Sequence, residues 1–307
     1  MYNHRIAICL QVEKWFLIVF NIGISDDAAM DSEFARTFLA VASAGSFVAA
    51  AERLHVTQST VSGRIQTLED QLGCRLFTRN RAGATLTDNG RRFQKHAALI
   101  VRTVEQARHD VGLPQGFRDS VVVGARIGLW DGLMLPWLAR ARYSSPEISF
   151  RAEIGFEPDL MQGLIDGRMD MAVMYTPQHR PQLETFELLR ERLVLVSCRN
   201  DDSDPPYIYV DWGPEFYAQH SASFPDLPGP PISVNIGWLG LNYLLANGGS
   251  GYFPYRLVAG LITQGRIALV EYMPEFSLPV WLVCHEGRDR NLIDPLIDQI
   301  KLLTSEL

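Results

Sequence analysis

The sequence predicts an α/β protein with an all-α head. Three observations carry this. Apolar residues between positions 34 and 72 recur at helical spacing in three short runs with capping residues at their starts. A long amphipathic stretch then runs from Thr87 to about Val111 and stops at Gly112, Pro114 and Gly116. From Ser120 onward, strand-like and helix-like segments alternate. A chain of 307 residues is long enough for two or three domains. The boundaries read as 30–88 for the head, 89–117 for a linker helix and hinge, and 118–307 for the α/β part, with residues 1–29 apart from all three.

The head begins with Phe34, Phe38, Leu39 and Ala42 on one helical face, closed by Gly45. Ser46 is a good N-cap for Phe47 to Leu54, whose Ala49, Ala50 and Ala51 allow close helix packing. His55-Val56 makes the turn, and Thr57 caps a third helix from Gln58 to about Leu72. In that helix Val61, Ile65, Leu68 and Leu72 share the core face, while Ser59, Ser62, Gly63 and Gln66 lie roughly opposite. Small polar side chains in the first half of a helix suit entry into a major groove, and Gln58 offers adenine both a donor and an acceptor. Arg64 sits to one side, placed for phosphate. A lone amphipathic surface helix would look the same; three short capped helices in order favour a helix-turn-helix. Two extended pieces around the turn at Ala82-Gly83 then make a wing, with Arg79 and Arg81 available to phosphate or the minor groove. The candidate DNA surface is thus Ser46, Thr57, Gln58, Ser59, Ser62, Gly63, Arg64, Gln66, Arg79 and Arg81.

Charge is distributed to match. The chain carries −7 overall, yet from Met30 to Gly112 eleven basic residues face eight acidic ones, so the excess of acid lies in the body. Only a head that approaches phosphate needs the basic balance. Hydrophobic residues at 47% and charged residues at 21% are those of a globular protein. Cys9, Cys74, Cys198 and Cys284 lack C-x-x-C spacing and the seven histidines are scattered, so no metal site, disulfide framework or cofactor is expected, and a reducing cytoplasm is. Trp15 to Ile24 is apolar but about half the roughly 20 residues a membrane span needs. The expectation is that Met30 is the natural start and 1–29 a misassigned extension, with a membrane anchor as the alternative.

The segments Phe38-Leu39-Ala40-Val41-Ala42, Gly45-Ser46-Phe47, Ala50-Ala51-Glu52-Arg53-Leu54, Val56-Thr57-Gln58-Ser59, Val61-Ser62, Leu68-Glu69, Leu72-Gly73, Leu76-Phe77 and Leu86-Thr87 with Gly90 resemble, in one register, the N-terminal signature of the LysR-type transcription regulators. The resemblance implies a winged helix-turn-helix, dimeric contacts with double-stranded DNA, and a two-lobed periplasmic-binding-protein-like effector domain. It also implies homotetramers, and RNA polymerase becomes a candidate partner. Gly63 departs from it, standing where many members carry a long basic or polar side chain.

Thr87 can cap the linker helix, in which Phe93, Ala97, Ile100, Val104, Ala107 and Val111 form a heptad-like seam. Burial against the chain's own body is one use for it; pairing in a homodimer is the expected one. Strands are expected at 121–127, 148–154, 169–175, 193–198, 207–210, 232–236 and 280–284, and helices at 133–141, 160–166, 215–221, 239–246 and 292–303. The first three strands with their two helices make a β-α-β-α-β unit, hence parallel sheet. By the resemblance, lobe one is about 119–176 plus 279–307 and lobe two about 177–278, with residues 248–254 a Gly-rich turn before proline. Ligands of such sheets bind beyond the carboxyl ends of the strands. That points to Gly128, Leu129, Trp130, Tyr175, Thr176, Asp211, Trp212, Asn235 and Trp238. Where the family offers Ser or Thr in the first turn, Leu129-Trp130 stands here. Either the effector is flatter or more apolar than a small carboxylate, or the pocket is reduced, or Trp130 is simply core packing.

The expected function is a sequence-specific regulator answering to a small-molecule effector, and not an enzyme: no phosphate-cradling loop or nucleophile elbow is present. A ligand-binding protein or enzyme with an appended helical head is the alternative. A cysteine redox sensor is disfavoured, since Cys198 and Cys284 lie in apolar strands assigned to different lobes.

Overall fold

The computed structural model describes residues 31–80, 83–113, 115–198 and 206–306, with the side chains of 79, 80, 106, 109 and 110 excepted. The first 30 residues, and with them the expectations about Met30 and an extension, lie outside the described residues. After Val101 the chain divides into two compact units.

The first unit opens with α1 (Ser32–Ala44), α2 (Phe47–Arg53) and α3 (Gln58–Leu72), each with the expected cap. Gly45 takes φ 63° and returns its N–H to Val41. Ser46 Oγ accepts from the amides of Val48 and Ala49, and Thr57 Oγ1 from that of Thr60. His55 adopts φ 52°, a left-handed turn residue between α2 and α3. Strands β1 (Phe77–Asn80) and β2 (Gly83–Leu86) pair antiparallel from Phe77↔Leu86 to Asn80↔Gly83. Gly83 is required here: at φ +131°, a Cβ would lie 2.4 Å from the Gly45 carbonyl oxygen, which accepts the Ala84 amide at 2.8 Å. The wing is thereby docked on the end of α1. Phe38 meets Phe77 and Phe93 with ring centroids 5.1 and 5.0 Å apart, joining α1, β1 and the long helix α4 (Asp88–Val111) in one core. Gly90, in the first turn of α4, cannot be otherwise, since a Cβ would come within 2.2 Å of the Leu76 carbonyl oxygen.

The linker seam divides in two. Phe93 and Ala97 are buried in the head's own core together with Ala98 and Val101. Ile100 and Val104 are half-buried, Ala107 is exposed, and Val111 is 90% exposed. The first half of the stripe is therefore already spent within the chain.

The second unit is built on one seven-stranded sheet. β3 (Asp119–Ala125), β4 (Ile148–Ile154) and β5 (Met171–Met174) run parallel, with β3 central. α5 (Leu135–Ser144) and α6 (Glu157–Ile165) make the crossovers. β3 stops at Ala125, not at Ile127 as expected, because Ile127–Leu129 coils into a helical turn that continues irregularly through Asp131 and Gly132. β6 (Leu183–Cys198) and β11 (Phe276–His285) pair antiparallel, the whole of β11 lying against residues 183–193 of β6, and β11 is also antiparallel to β5. The far half of β6 carries β9 (Gly249–Pro254) and β10 (Ala268–Leu269), while β7 (Ile208–Val210) and β8 (Ile232–Val234) pair separately. Around them lie α7 (Pro214–Ser223), α8 (Gly237–Asn247) and α9 (Tyr255–Thr263), and α10 (Arg290–Ser305) closes the chain.

Two expectations are corrected. Residues 249–254 form a strand rather than a turn, because their backbone fills the edge of β6, and α9 follows directly. β6 starts ten residues before the expected 193. Its first part, Leu-Glu-Thr-Phe-Glu-Leu-Leu-Arg-Glu-Arg, pairs only with β11 over 183–192, and an edge strand tolerates its charged face.

Candidate nucleic-acid interface and effector cleft

In α3 the core face is as read: Val61, Ile65 and Leu68 are fully buried. Gln58, Ser59, Gly63 and Gln66 are exposed and Ser62 is half-buried, so the helix presents a row of small polar groups to solvent. Two expected DNA residues are engaged inside the head. Arg64 Nη1 lies 3.2 Å from both Glu33 Oε2 and Thr37 Oγ1 on α1. Gln66 gives its amide N–H to Asp70 at 2.7 Å and accepts from Arg75 at 2.9 Å. The hydroxyls of Ser46 and Thr57 serve as caps. No atom comes within 4 Å of a Cβ built on Gly63, so packing does not demand glycine there. Arg79 has its backbone in β1 with its side chain outside the described residues, and Arg81 lies outside them altogether.

Glu69 holds α3 to the wing, a role with no local signal in the chain around it. It is 5% exposed, and Oε1 accepts the amides of Leu76 and Phe77 at 2.7 and 3.2 Å while Oε2 takes Arg75 Nη1 at 2.6 Å. Burial pushes its pKa upward, but the two amides and the Arg75 guanidinium together pull it below the usual carboxylate value.

In the second unit, a cleft of about 390 Å³ opens at the carboxyl ends of the strands. Its charged lining residues are Arg126 after β3, Glu157 at the start of α6 and Asp211 after β7. Thr176, Trp212 and Asn235 were also expected at the site and line it, while Phe156, Gln178 and Pro214 were not foreseen. Arg126 is the central group. Its side chain is 10% exposed, Nη1 reaches Glu157 Oε2 at 3.1 Å, Nη2 lies 3.5 Å from the Asn235 carbonyl oxygen, and the guanidinium sits 4.6 Å over the Phe156 ring. One cation thus touches groups on both sides of the cleft.

The other expected effector residues fall elsewhere. Leu129 is fully buried, and Trp130 is buried with its indole N–H donated to the Glu153 carbonyl at 3.0 Å, so Trp130 is core packing and says nothing of the effector's shape. The Gly128 carbonyl accepts Arg256 at 3.1 Å, and Arg256 also pairs with buried Glu191 at 2.6 Å. Trp238 is 58% exposed on the first turn of α8, and Tyr175 is buried behind the cleft, edge-on to Trp212 with centroids 6.1 Å apart. Arg126 directly follows a strand and would have been found by weighting a lone basic residue at a strand's carboxyl end. Glu157 carries no such signal, since an acidic residue opening a helix is ordinary.

A winged helix-turn-helix joined to a cleft-bearing α/β domain defines a ligand-responsive DNA-binding regulator. Residues 33–91 match the bacterial regulatory helix-turn-helix of the lysR family, and residues 114–201 match the LysR substrate binding domain. The HTH-type transcriptional regulator HdfR of Yersinia pestis (strain Pestoides F) is 30% identical over 239 residues, 73% of this chain and 81% of its own. The chain belongs to the LysR family of transcriptional regulators: it is a DNA-binding regulator with an effector-binding domain, not an enzyme. ArgP from Mycobacterium tuberculosis has a similar fold (TM-score 0.57, 22% identity, 89% of this chain and 97% of that one). So does full-length LysG from Corynebacterium glutamicum, solved with bound effector Arg (TM-score 0.55, 17% identity, 90% and 98%). No helix among the described residues is long and apolar enough to cross a membrane.

Proposed function

We propose that the Arg126 cleft is the effector site and that its ligand is a small zwitterion of the amino-acid class. The observation that carries this is the charge set: one guanidinium and the two carboxylates of Glu157 and Asp211 line a single cleft. A ligand carboxylate takes Arg126 in a charge-assisted pair, displacing Glu157, which with Asp211 then receives an ammonium group. The arginine bound to LysG is an effector of that class. Because Arg126 already touches Glu157 and the Asn235 carbonyl, a ligand between them favours a closed arrangement through unequal affinity for the two states. Calorimetric titration of the full chain with L-arginine, L-lysine, L-glutamate and succinate tests it. One of the amino acids should bind, and Arg126→Gln should weaken it at least tenfold. Binding only of succinate, or binding indifferent to Arg126, overturns it.

On the head, Gln58, Ser59 and Ser62 read bases, and Arg79 and Arg81 hold the backbone. Arg64 and Gln66 act by positioning α3. Exposed Ala107 and Val111 support pairing of two linker helices in a homodimer, which would place recognition helices on half-sites about 10 base pairs apart or a multiple of that. A gel-shift titration on DNA upstream of the protein's own gene, against a scrambled probe at physiological salt, should show a preference of the order of 10³ or more. The same molecules should sediment as dimers or larger.

A further inference from the structure

A second cleft, of about 370 Å³, lies beside the crossover strands; its polar and aromatic lining is Tyr175, Thr176, Thr185, Glu215 and Trp281, with the basic side chains of His179 and Arg190, and prolines at its wall. It touches the first cleft only through Thr176, which lines both. Four features make it a built pocket. The register of β6 against β11 shifts between Val280 and Trp281, a bulge of the kind that re-aims a side chain, and Trp281 is half-buried on the cleft wall. Its indole ring and N–H, and the hydroxyls of Thr176 and Thr185, have no partner among the described residues. Tyr175, fully buried, backs the wall, its unpartnered hydroxyl lying toward Gly128 rather than into the cleft. The charges are unequal as well. Arg190 is closed by Glu187 through contacts of 2.7 and 3.2 Å, whereas Glu215 has no ion-pair partner among the described residues.

Glu215 is exposed and has no ion pair among the described residues; with Arg190 held by Glu187, this carboxylate beside an indole face and acceptor hydroxyls suits a cation carried on an apolar body. We infer that this cleft is a second ligand site, for a small aromatic amine, distinct from the effector site. Its ammonium group pairs with Glu215 and its ring packs on Trp281. The inference stands apart from the reading of the Arg126 cleft, and the test separates them.

The full chain labelled with 5-fluorotryptophan is titrated with phenethylamine and followed by fluorine NMR, the Trp281 signal being assigned by its loss in Trp281→Phe. The Trp281 signal should move saturably. Glu215→Gln should weaken the interaction at least tenfold. Phenylacetate, of opposite charge, should move the signal little, and Arg126→Gln should leave phenethylamine affinity within about twofold. An unmoved Trp281 signal, equal response to phenylacetate, or an unchanged affinity in Glu215→Gln overturns the inference. So does loss of binding in Arg126→Gln, which would put the amine in the first cleft.

Discussion

Replacing Glu69 with Ala should loosen the wing of the DNA-binding head without touching any DNA-facing residue. The carboxylate accepts two backbone amides, Leu76 and Phe77, from a position 5% exposed. Each buried donor left unpaired carries a penalty of about 1–3 kcal/mol. Arg75 is 68% exposed, so its lost ion pair adds little. Two such donors put the cost at about 2–6 kcal/mol in all. At about 1.4 kcal/mol per tenfold, local opening becomes at least roughly 30 times more frequent. Hydrogen exchange of the full chain, read on peptides spanning 74–80, measures this directly. Glu69→Gln, which keeps an accepting oxygen but not the charge, should fall well short of the Ala effect. The pH dependence gives a second reading. The folded group titrates below the unfolded one, so its stabilisation is full above the ordinary carboxylate range and disappears as pH falls through the folded value. Protection of the wing in the native chain should therefore drop in acid, and in Glu69→Gln that drop should flatten. Less than threefold acceleration in Glu69→Ala, or an acid profile unchanged in Glu69→Gln, would refute the assignment.

Other outcomes follow from the same structure. Gly90→Ala should destabilise the head severely, since its Cβ meets the Leu76 carbonyl, while Gly63→Ala, in open space on a helix, should be neutral or stabilise by up to about 1 kcal/mol; thermal melts compare them. His220 is buried against Tyr207, whose hydroxyl lies 2.7 Å from Nε2, and burial lowers its pKa. The folded effector domain therefore prefers it neutral, with stability complete above the unfolded histidine range and lost as pH falls below it. Denaturant midpoints between pH 7 and 5 should fall less in His220→Leu than in the native chain. Gln58→Ala and Ser62→Ala should reduce the ratio of specific to random DNA affinity, as measured by paired gel shifts; equal losses on both would remove α3 from base reading.

The head was legible because its signals are local. A cap needs Ser46 or Thr57 at one position, a core face needs Val61, Ile65 and Leu68 at helical spacing, and each is visible without knowing the rest of the chain. The effector site was only half legible. The rule that parallel sheets bind at their carboxyl ends led to Thr176, Asp211, Trp212 and Asn235. It did not separate Arg126, which faces the cleft, from Leu129 and Trp130 a few residues on, because that depends on where the strand stops and which way the next turn coils. The first half of β6 was missed for a related reason. Its charged alternation reads as surface until β11, some ninety residues later, supplies a partner. Glu69 was hidden for want of any local pattern, since its partners are backbone amides in another element.

β6 spans both halves of the effector domain, and the whole of β11 is hydrogen-bonded to its residues 183–193, with one register shift between Val280 and Trp281. The two lobes are therefore joined by a stiff ribbon rather than by a pair of loose tethers. A ribbon of this kind accommodates rotation by twisting over many residues, each yielding a little. Effector-driven movement should then be small in angle and spread out, and glycine substitutions at no single residue should free it. Excising one lobe would strip half the partners from a strand belonging to both, so neither half should survive as an independent folding unit.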